Sequence, residues 1–148
     1  MTTNNDHIAF IGGGNMASAI IGGLIKRGAL PANLQVIEPI EEQRRKLEAQ
    51  FGVHAHAVPT AALGSAALVV WAVKPQTFKD AALQARFHTK AAVHLSVAAG
   101  IRTDSIAHWL GTEHVVRAMP NTPALVGKGM TALFARARSE ERRVGKEC

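Results

Sequence analysis

The stretch that decides the fold is AFIGGGNMASAIIGGLI, residues 9–25. It starts inside an apolar run, Ile8–Ile11, that is typical of a buried strand, and it continues into a stretch with helical spacing. Between the two parts, Gly12, Gly14 and Ala17 match the pattern G-x-G-x-x-[G/A]. The segment therefore predicts a strand that leads into a helix through a glycine-rich turn.

Each position of this pattern has a physical purpose. Gly12 permits a sharp turn, Gly14 lets the backbone approach a pyrophosphate, and Ala17 lets the helix pack close to the strand. The start of the helix then offers unpaired N–H groups and a partial positive charge to the phosphates. We expect the pyrophosphate of a dinucleotide to bind at the turn Gly12–Ala17. The alternative is a glycine-rich turn without a ligand.

Seven short apolar runs alternate with helical stretches along the chain, which predicts parallel strands joined by helices. Little polar alternation occurs within the runs, as expected of strands that are covered on both faces. The predicted strands are Ile8–Ile11, Leu34–Ile37, Val53–His54, Leu68–Ala72, Val93–Ser96, Val115–Arg117 and Met130–Phe134.

Local signals place four helices between these strands. Asn15 is expected to cap the first helix, which runs to about Lys26 and stops before Gly28. Elsewhere in the chain, Trp71 and Trp109 are expected in the core. The remaining helix signals are Pro39 at the start of the second helix, with Ile40, Leu47 and Phe51 on its buried side and the pairs Glu41/Arg45 and Glu42/Lys46 exposed; Pro75 at the start of the third; and Thr103 or Asp104 as cap of the fourth, which buries Ile106 and Leu110 and ends at Gly111.

The resulting fold class is α/β: a Rossmann-like, doubly wound, mainly parallel sheet with helices on both faces. The 148 residues fit one domain, and we assign residues 1–135 to a dinucleotide-binding domain. Residues 136–148 are interpreted as a truncated tail that is either native or a scar of cloning or assembly, and Cys148 in it receives no redox role.

Composition argues against several other classes of protein. The net charge of +6 is scattered and forms no basic stripe with interleaved aromatics, so no nucleic-acid partner is expected. No apolar run reaches the roughly 18 residues of a membrane span, and no secretory signal is visible. A single cysteine agrees with a reducing, cytoplasmic location. His54 and His56 lack an evident third ligand, so no metal site is expected.

Glu38 lies 21 residues after Ala17, at the end of the second predicted strand. An acid there can accept hydrogen bonds from an adenosine ribose and repel a 2′-phosphate, which favours NAD. Arg44 and Arg45 lie nearby and could instead bind a 2′-phosphate. Glu38 could also cap the following helix, so the sequence leaves NADPH and NADH both open as cofactor.

Three further motifs follow along the chain: WAVKPQ at 71–76, SVAAG at 96–100, and VVRAMPNTPALVGKGMTALF at 115–134. With FIGGGNM, they occur in the order and at about the spacing of one family, so residues 7 to about 135 closely resemble 1-pyrroline-5-carboxylate reductase. RAMPNTPALVGKGM is the most specific piece, whereas the glycine turn alone fits many dehydrogenases.

The resemblance implies NAD(P)H-dependent reduction of the C=N bond of 1-pyrroline-5-carboxylate to L-proline, the last step of proline biosynthesis. Pro120 and Pro123 stiffen the loop that carries Asn121, whose amide could donate to the ligand or stabilise its own turn. The positions that the resemblance assigns to cofactor binding are Ile11, Gly12, Gly13, Gly14, Asn15 and Met16 at the pyrophosphate; Ala72, Val73, Lys74 and Pro75 in the cofactor channel; and Ala98, Ala99, Gly100, Met119, Pro120 and Asn121 near the nicotinamide.

The resemblance also implies what this chain lacks. Members of the family continue into a helical domain that supplies the imine's proton donor and carboxylate clamp and forms a homo-oligomer. No catalytic residue is therefore assigned, and the 148-residue chain is expected to bind cofactor but reduce the small-molecule imine poorly. The alternatives are the dinucleotide-binding domain of a 3-hydroxyacid or F420-dependent reductase, and a non-catalytic NAD(P)-sensing module.

Overall fold

The computed structural model describes residues 7–98 and 100–117. These residues form one six-stranded sheet with four α-helices and three short 3-10 helices. The elements are β1 (His7–Ile11), α1 (Asn15–Lys26), β2 (Leu34–Ile37), α2 (Glu41–Phe51), β3 (His54–His56), β4 (Ala66–Trp71), α3 (Pro75–Ala85), β5 (Val93–Ser96), α4 (Thr103–Leu110) and β6 (Val115–Arg117), with 3-10 helices at Pro31–Asn33, Ala61–Ser65 and Arg86–His88.

The strand order is β3-β2-β1-β4-β5-β6, and every pairing is parallel. The chain moves outward from β1 to β3 and then returns past β1 to β4, so the direction of winding reverses between β1 and β4. Ligands of doubly wound sheets bind outside the carboxyl ends of the strands at such a reversal. The predicted Rossmann-like fold is confirmed, and its switch point lies between Gly12 and Ala72.

Two apolar layers hold the sheet between its helices. Alternate side chains of β1, such as Ile8 and Phe10, face a layer that includes α1 and Leu47 of α2. Ala9 and Ile11 face the opposite layer, which includes α3 and α4. Helices therefore cover both faces, as the continuous apolar runs of the strands predict.

The predicted strands agree closely with those observed. β2, β5 and β6 have the predicted bounds. β1 begins one residue earlier than predicted, and β4 begins and ends earlier, at Ala66–Trp71 instead of Leu68–Ala72. β3 lies at His54–His56 rather than Val53–His54, with Val53 buried just before it. The predicted strand at Met130–Phe134 lies outside the described residues.

The predicted helix starts are less accurate. Asn15 is the first residue of α1 and not its cap; Gly14 occupies the cap position without a side-chain hydrogen bond. α2 starts at Glu41 rather than Pro39, and α4 has Arg102 at its cap, so neither Thr103 nor Asp104 caps it. The cap residues Gly14, Ile40 and Arg102 make no side-chain capping hydrogen bonds. The capping preferences of side chains therefore do not locate these helix starts. Other helix predictions are confirmed, including the starts at Pro75 and the ends at Lys26 and Gly111.

Residues on the helix faces follow the predicted pattern with one exception. Leu47, Ile106 and Leu110 are buried, whereas Ile40 is 62% exposed, which corrects its assignment to the buried side of α2. Of the two predicted ion pairs on α2, Arg45 and Glu41 form one at 2.7 Å. The other pair, Glu42/Lys46, is absent from the ion pairs of residues 7–98 and 100–117.

A buried aromatic group joins β4 to β5 directly behind the switch point. Trp71 is fully buried and stacks on Phe78 of α3 with ring centroids 4.8 Å apart. Its indole Nε1–H donates to Nδ1 of His94 at 2.9 Å. Trp109 also packs against Phe78, with ring centroids 6.0 Å apart. Trp71 therefore belongs to the core, as predicted, whereas Trp109 is partly buried and packs against the core.

Candidate cofactor-binding cleft

A cleft of about 610 Å³ opens at the carboxyl ends of β1, β2 and β4. Its volume lies within the roughly 300–1,000 Å³ range of small-molecule and cofactor sites. The glycine turn forms its floor, α2 forms one wall, and one side of α3 with Lys74 before it forms the other. The lining residues are Ile11, Gly12, Gly13, Gly14, Ile37, Glu38, Pro39, Ile40, Glu42, Gln43, Lys46, Ala57, Pro59, Ala72, Val73, Lys74, Thr77, Asp80, Ala81 and Gln84.

Gly12 brings β1 against the end of β4. Its φ angle is +101°, a conformation that side-chain-bearing residues rarely adopt. A Cβ built at this position would lie 2.6 Å from the carbonyl oxygen of Ala72. Gly12 N–H donates to the carbonyl of Ile37 at 2.9 Å, and Ala72 N–H donates to that of Ile11 at 2.9 Å. The turn is thus tied to strands on both sides.

We expect Gly12→Ala to destabilise the fold by roughly 2–4 kcal/mol, because strain at positive φ adds to a backbone clash. Urea unfolding followed by circular dichroism measures this loss. An unchanged midpoint at an unchanged slope would contradict the described contact between Gly12 and Ala72.

Gly13 serves the packing of the protein itself. A Cβ there would lie 2.7 Å from Cδ1 of Leu47 and 3.2 Å from a Val36 methyl carbon. Its N–H donates to Oε1 of Glu38 at 2.8 Å, and its carbonyl accepts from Nε2 of Gln43 at 2.6 Å. The N–H groups of Gly12 and Gly13 are therefore already used within the protein, which narrows the predicted phosphate cradle to the groups that follow.

Gly14 differs from its two neighbours. It lines the cleft, and a Cβ built on it would meet no protein atom within 4 Å. The first helical hydrogen bond of α1 runs from Ser18 N–H to the Gly14 carbonyl at 2.9 Å. The N–H groups of Asn15, Met16 and Ala17 precede that bond, so they have no partner within the helix. Gly14 thus borders open space directly before a helix start whose first N–H groups lack helical partners, and such a helix start suits a phosphate.

Glu38 is anchored by two backbone groups. Oε1 accepts from Gly13 N–H at 2.8 Å, Oε2 accepts from Ile40 N–H at 3.0 Å, and the residue is only 8% exposed. The carboxylate thus stabilises the entry to α2, the structural role that the sequence left open. Each carboxylate oxygen can accept more than one hydrogen bond, so the structural role of Glu38 leaves it able to accept a further bond from a ribose hydroxyl at the cleft.

The two arginines after Glu38 are both engaged elsewhere. Nη1 of Arg44 donates to the carbonyls of Glu38 and Pro39, each at 2.8 Å. Arg45 forms its ion pair with Glu41 on the exposed side of α2. Neither arginine lines the cleft.

The cleft also contains residues that sequence reasoning missed. Ile40 and Pro59 supply apolar surface beside Glu38, and Gln43 and Lys46 follow on α2. The spacing of residues 43 and 46 after the acid is a usable sign, because one helix face repeats every three to four residues. Ile40 and Pro59 come together only when β2 and β3 pair, which no local pattern reports.

Lys74 lies at the start of α3 on the opposite wall. It lines the cleft, is exposed, and forms none of the ion pairs described for residues 7–98 and 100–117. Thr77 also lines the wall, and its Oγ1 donates to the Lys74 carbonyl at 3.0 Å. The wall therefore presents a cation near the glycine turn, which agrees with an anionic ligand.

The predicted cofactor positions divide into three groups. Ile11, Gly12, Gly13, Gly14, Glu38, Ala72, Val73 and Lys74 line the cleft. Asn15, Met16, Ala17, Pro75, Ala98 and Gly100 do not line it, although they lie at helix starts or strand ends on the same edge of the sheet. Ala99, Met119, Pro120 and Asn121 lie outside the described residues.

Ala98 and Gly100 follow β5 in the neighbouring part of that edge. Val97 N–H donates to the carbonyl of Trp71 at 3.1 Å, which holds this segment beside the end of β4. Ala98 is 7% exposed, whereas Gly100 is exposed with φ +79°. Their assignment to the nicotinamide region stays a prediction.

No group of three potential metal ligands occurs among residues 7–98 and 100–117. His54 and His56 lie on β3 at the edge of the sheet, and neither lines the cleft. Within the same residues, no helix is long and apolar enough to span a membrane.

Comparison with known proteins places this geometry in a family. A family model described as "NADP oxidoreductase coenzyme F420-dependent" matches residues 7–100. Pyrroline-5-carboxylate reductase of Pseudomonas aeruginosa is 42% identical over 133 residues, which cover 88% of this chain and 48% of the relative. The chain thus spans about half the length of the curated relatives it matches.

Solved structures agree. A pyrroline-5-carboxylate reductase from Coxiella burnetii has a TM-score of 0.77 at 30% identity, covering 90% of this chain and 56% of that one. The pyrroline carboxylate reductase of Plasmodium falciparum, solved with NADP bound, has a TM-score of 0.71 at 22% identity, covering 84% and 46%. The second likeness concerns the fold alone. From the family match, this chain belongs to the NADP oxidoreductase, coenzyme F420-dependent, family, and it is similar to the pyrroline-5-carboxylate reductases that its motifs indicated.

Proposed function

We propose that this chain is the cofactor-binding part of an NAD(P)H-dependent pyrroline-5-carboxylate reductase. The observation that carries the proposal is the cleft at the glycine turn, where Gly14 borders open space and directly precedes the first turn of α1, whose N–H groups have no partner within the helix. A reduced nicotinamide nucleotide bound with its diphosphate at this turn would supply the hydride for the C=N carbon of 1-pyrroline-5-carboxylate. The chain's own residues bind and orient that cofactor.

The residues that would hold it divide along the cleft. The first-turn N–H groups of α1 would bind the diphosphate, with Lys74 supplying positive charge from the opposite wall. Glu38 would receive the adenosine ribose, and Ile40 with Pro59 would contact the adenine. Ala98–Gly100 and Met119–Asn121 are proposed for the nicotinamide end, on the resemblance described above.

The choice of substrate rests on relatives and motifs. Curated relatives of P. aeruginosa and Escherichia coli, 42% and 38% identical, are pyrroline-5-carboxylate reductases. This supports the imine as substrate over the 3-hydroxyacid and F420-dependent alternatives. A homo-oligomer formed through a helical second domain, and a cytoplasmic location, belong to the same proposal. Residues 1–135 and 136–148 keep their assignments as domain and tail.

Calorimetric titration of the 148-residue chain with NADH and with NADPH tests cofactor binding. We expect saturable one-to-one binding of at least one of the two nucleotides, because the residues proposed for the diphosphate all lie within the described part of the chain. A folded sample that binds neither nucleotide contradicts the proposal.

A chimera tests whether this chain can serve as the cofactor-binding half of such a reductase. Residues 1–135 are joined to the second half of the P. aeruginosa relative. Oxidation of reduced cofactor is followed with 1-pyrroline-5-carboxylate, and reduction of oxidised cofactor is followed with 3-hydroxyacids. We expect turnover of the imine and little turnover of hydroxyacids, whereas the 148-residue chain alone should turn over neither well. A folded chimera that binds reduced cofactor but does not turn over the imine would contradict the proposed role of this chain.

A further inference from the structure

The adenosine end of the cleft carries more negative than positive charge. Glu38 and Glu42 line the wall formed by the end of β2 and by α2, and Lys46 is the one lysine or arginine that joins them there among the described residues. A 2′-phosphate brings roughly two further negative charges to whichever ribose position it occupies. The charge of this wall therefore disfavours a phosphorylated ribose.

The position of Glu38 makes this effect specific. Hydrogen bonds from Gly13 N–H and Ile40 N–H hold its two oxygens in place, so the carboxylate cannot turn away from an incoming group without losing both. Such a fixed acceptor at the end of β2 suits the hydroxyls of an unmodified ribose. It meets a 2′-phosphate as a like charge, with no donor to offer.

The nearby arginines do not offset the carboxylates. Arg44 is bound to two carbonyls of its own loop, and Arg45 is paired with Glu41 away from the cleft. Freeing Arg44 for a phosphate would leave the carbonyls of Glu38 and Pro39 without this donor. Both arginines that the sequence offers for NADPH therefore already have protein partners, and neither lines the cleft.

Resting on the proposed function, we propose that this chain selects NADH over NADPH, and that Glu38 is the residue that sets this preference. The selection acts at the adenosine ribose and is independent of the imine. It extends the function proposed above, which leaves the choice between the two nucleotides open.

Titrations with ADP-ribose and with 2′-phospho-ADP-ribose test the preference at the end of the cofactor where it arises. We expect ADP-ribose to bind more tightly by about tenfold or more, and NADH to exceed NADPH by a similar factor. Equal affinity within each pair, or tighter binding of the 2′-phosphorylated member, overturns the preference. If none of the four ligands binds, the proposed function fails, and the preference fails with it.

Variants identify the residue. In Glu38→Gln, which keeps one acceptor for the backbone, the ratio of the two affinities should fall toward one, mainly through tighter binding of the 2′-phosphorylated ligand. Glu48→Gln is the matched control, because it makes the same change on an exposed part of α2 outside the cleft. An unchanged ratio in a folded Glu38→Gln variant, or an equal fall in Glu48→Gln, overturns the role of Glu38.

Lys46→Ala tests whether Lys46, the remaining cation on this wall, binds a 2′-phosphate. If Lys46 held a 2′-phosphate, its removal would weaken the phosphorylated ligand alone by tenfold or more. We expect the preference for ADP-ribose to persist in this variant, with both ligands weakened to a similar extent. A selective loss of 2′-phospho-ADP-ribose would overturn the proposal in favour of a site for NADPH.

Discussion

Gly14→Ala is expected to abolish most nucleotide binding while the protein remains folded. The φ and ψ angles of Gly14 are −81° and −157°, an extended conformation that alanine also adopts. A Cβ there meets no protein atom within 4 Å. The cost to folding is therefore limited to replacing glycine by alanine at a helix cap, up to about 1 kcal/mol.

The added methyl group would point into the open space beside the proposed phosphate site. It prevents close approach to the N–H groups of Asn15 and Met16, and losing two charge-assisted hydrogen bonds of about 1.5 kcal/mol each weakens binding by about 100-fold. Calorimetric titration with the better-binding nucleotide measures this loss. Urea unfolding measured in parallel shows whether the fold persists.

Gly22→Ala is the matched control on the same helix. Its Cβ would lie 3.4 Å from Cε1 of Phe51, an ordinary contact away from the cleft. Nucleotide affinity should stay unchanged and stability should rise by up to about 1 kcal/mol, because alanine is the better helix former. If a folded Gly14→Ala variant binds like the wild type, the diphosphate does not lie at this turn.

The contrast among the three glycines shows what the sequence could predict. The motif identified Gly12 and Gly14, because a sharp turn and a close approach are local requirements with a known spacing. It could not show that Gly13 is required by Leu47, which is distant in sequence. Nor could it show that Gly13 N–H is taken by Glu38, since that bond joins residues 25 apart.

The distinction between local signals and contacts distant in sequence also applies to the rest of the fold. β2 and β5 were predicted with their observed bounds, because short apolar runs between turn residues are a local signal. Ile40 was misplaced because it precedes α2 and its exposure depends on the cleft that forms around it. Contacts between residues on different strands, such as the bond between Trp71 and His94, cannot be predicted without the order of the strands in the sheet.

His94 is expected to make the fold sensitive to acid. The residue is 1% exposed, and burial lowers its pKa from 6.5 to about 4, against an opposing effect of the Thr89 backbone and with a further lowering by nearby His114. Because Trp71 donates to Nδ1, the neutral ring carries its proton on Nε2. Charging the ring means protonating Nδ1, which breaks that bond inside the apolar layer.

The direction of the pH effect follows from this lowered pKa. The unfolded chain takes up a proton near pH 6.5, whereas the folded protein resists until about pH 4. The contribution of the neutral ring is therefore fully present above pH 6.5 and is lost as the pH falls toward 4. At about 1.36 kcal/mol per pKa unit, the free energy of unfolding should drop by about 3 kcal/mol from this residue between pH 7 and pH 4.

A comparison with His94→Gln isolates this residue from the carboxylates that titrate in the same range. The glutamine oxygen can still accept from Trp71, but its amide does not titrate, so the variant should be less stable at pH 7 and the gap should close by about 3 kcal/mol at pH 4. Exposed His108→Gln serves as the control and should show a constant difference from the wild type. A gap for His94→Gln that stays constant with pH would mean that the buried ring does not control acid stability.

Because Trp71 directly precedes Ala72, whose carbonyl lies against Gly12, loss of the Trp71–His94 bond should loosen the floor of the cleft before the sheet unfolds. Nucleotide affinity should accordingly fall at a higher pH than the circular dichroism signal in the wild type, and the two should fall together in His94→Gln.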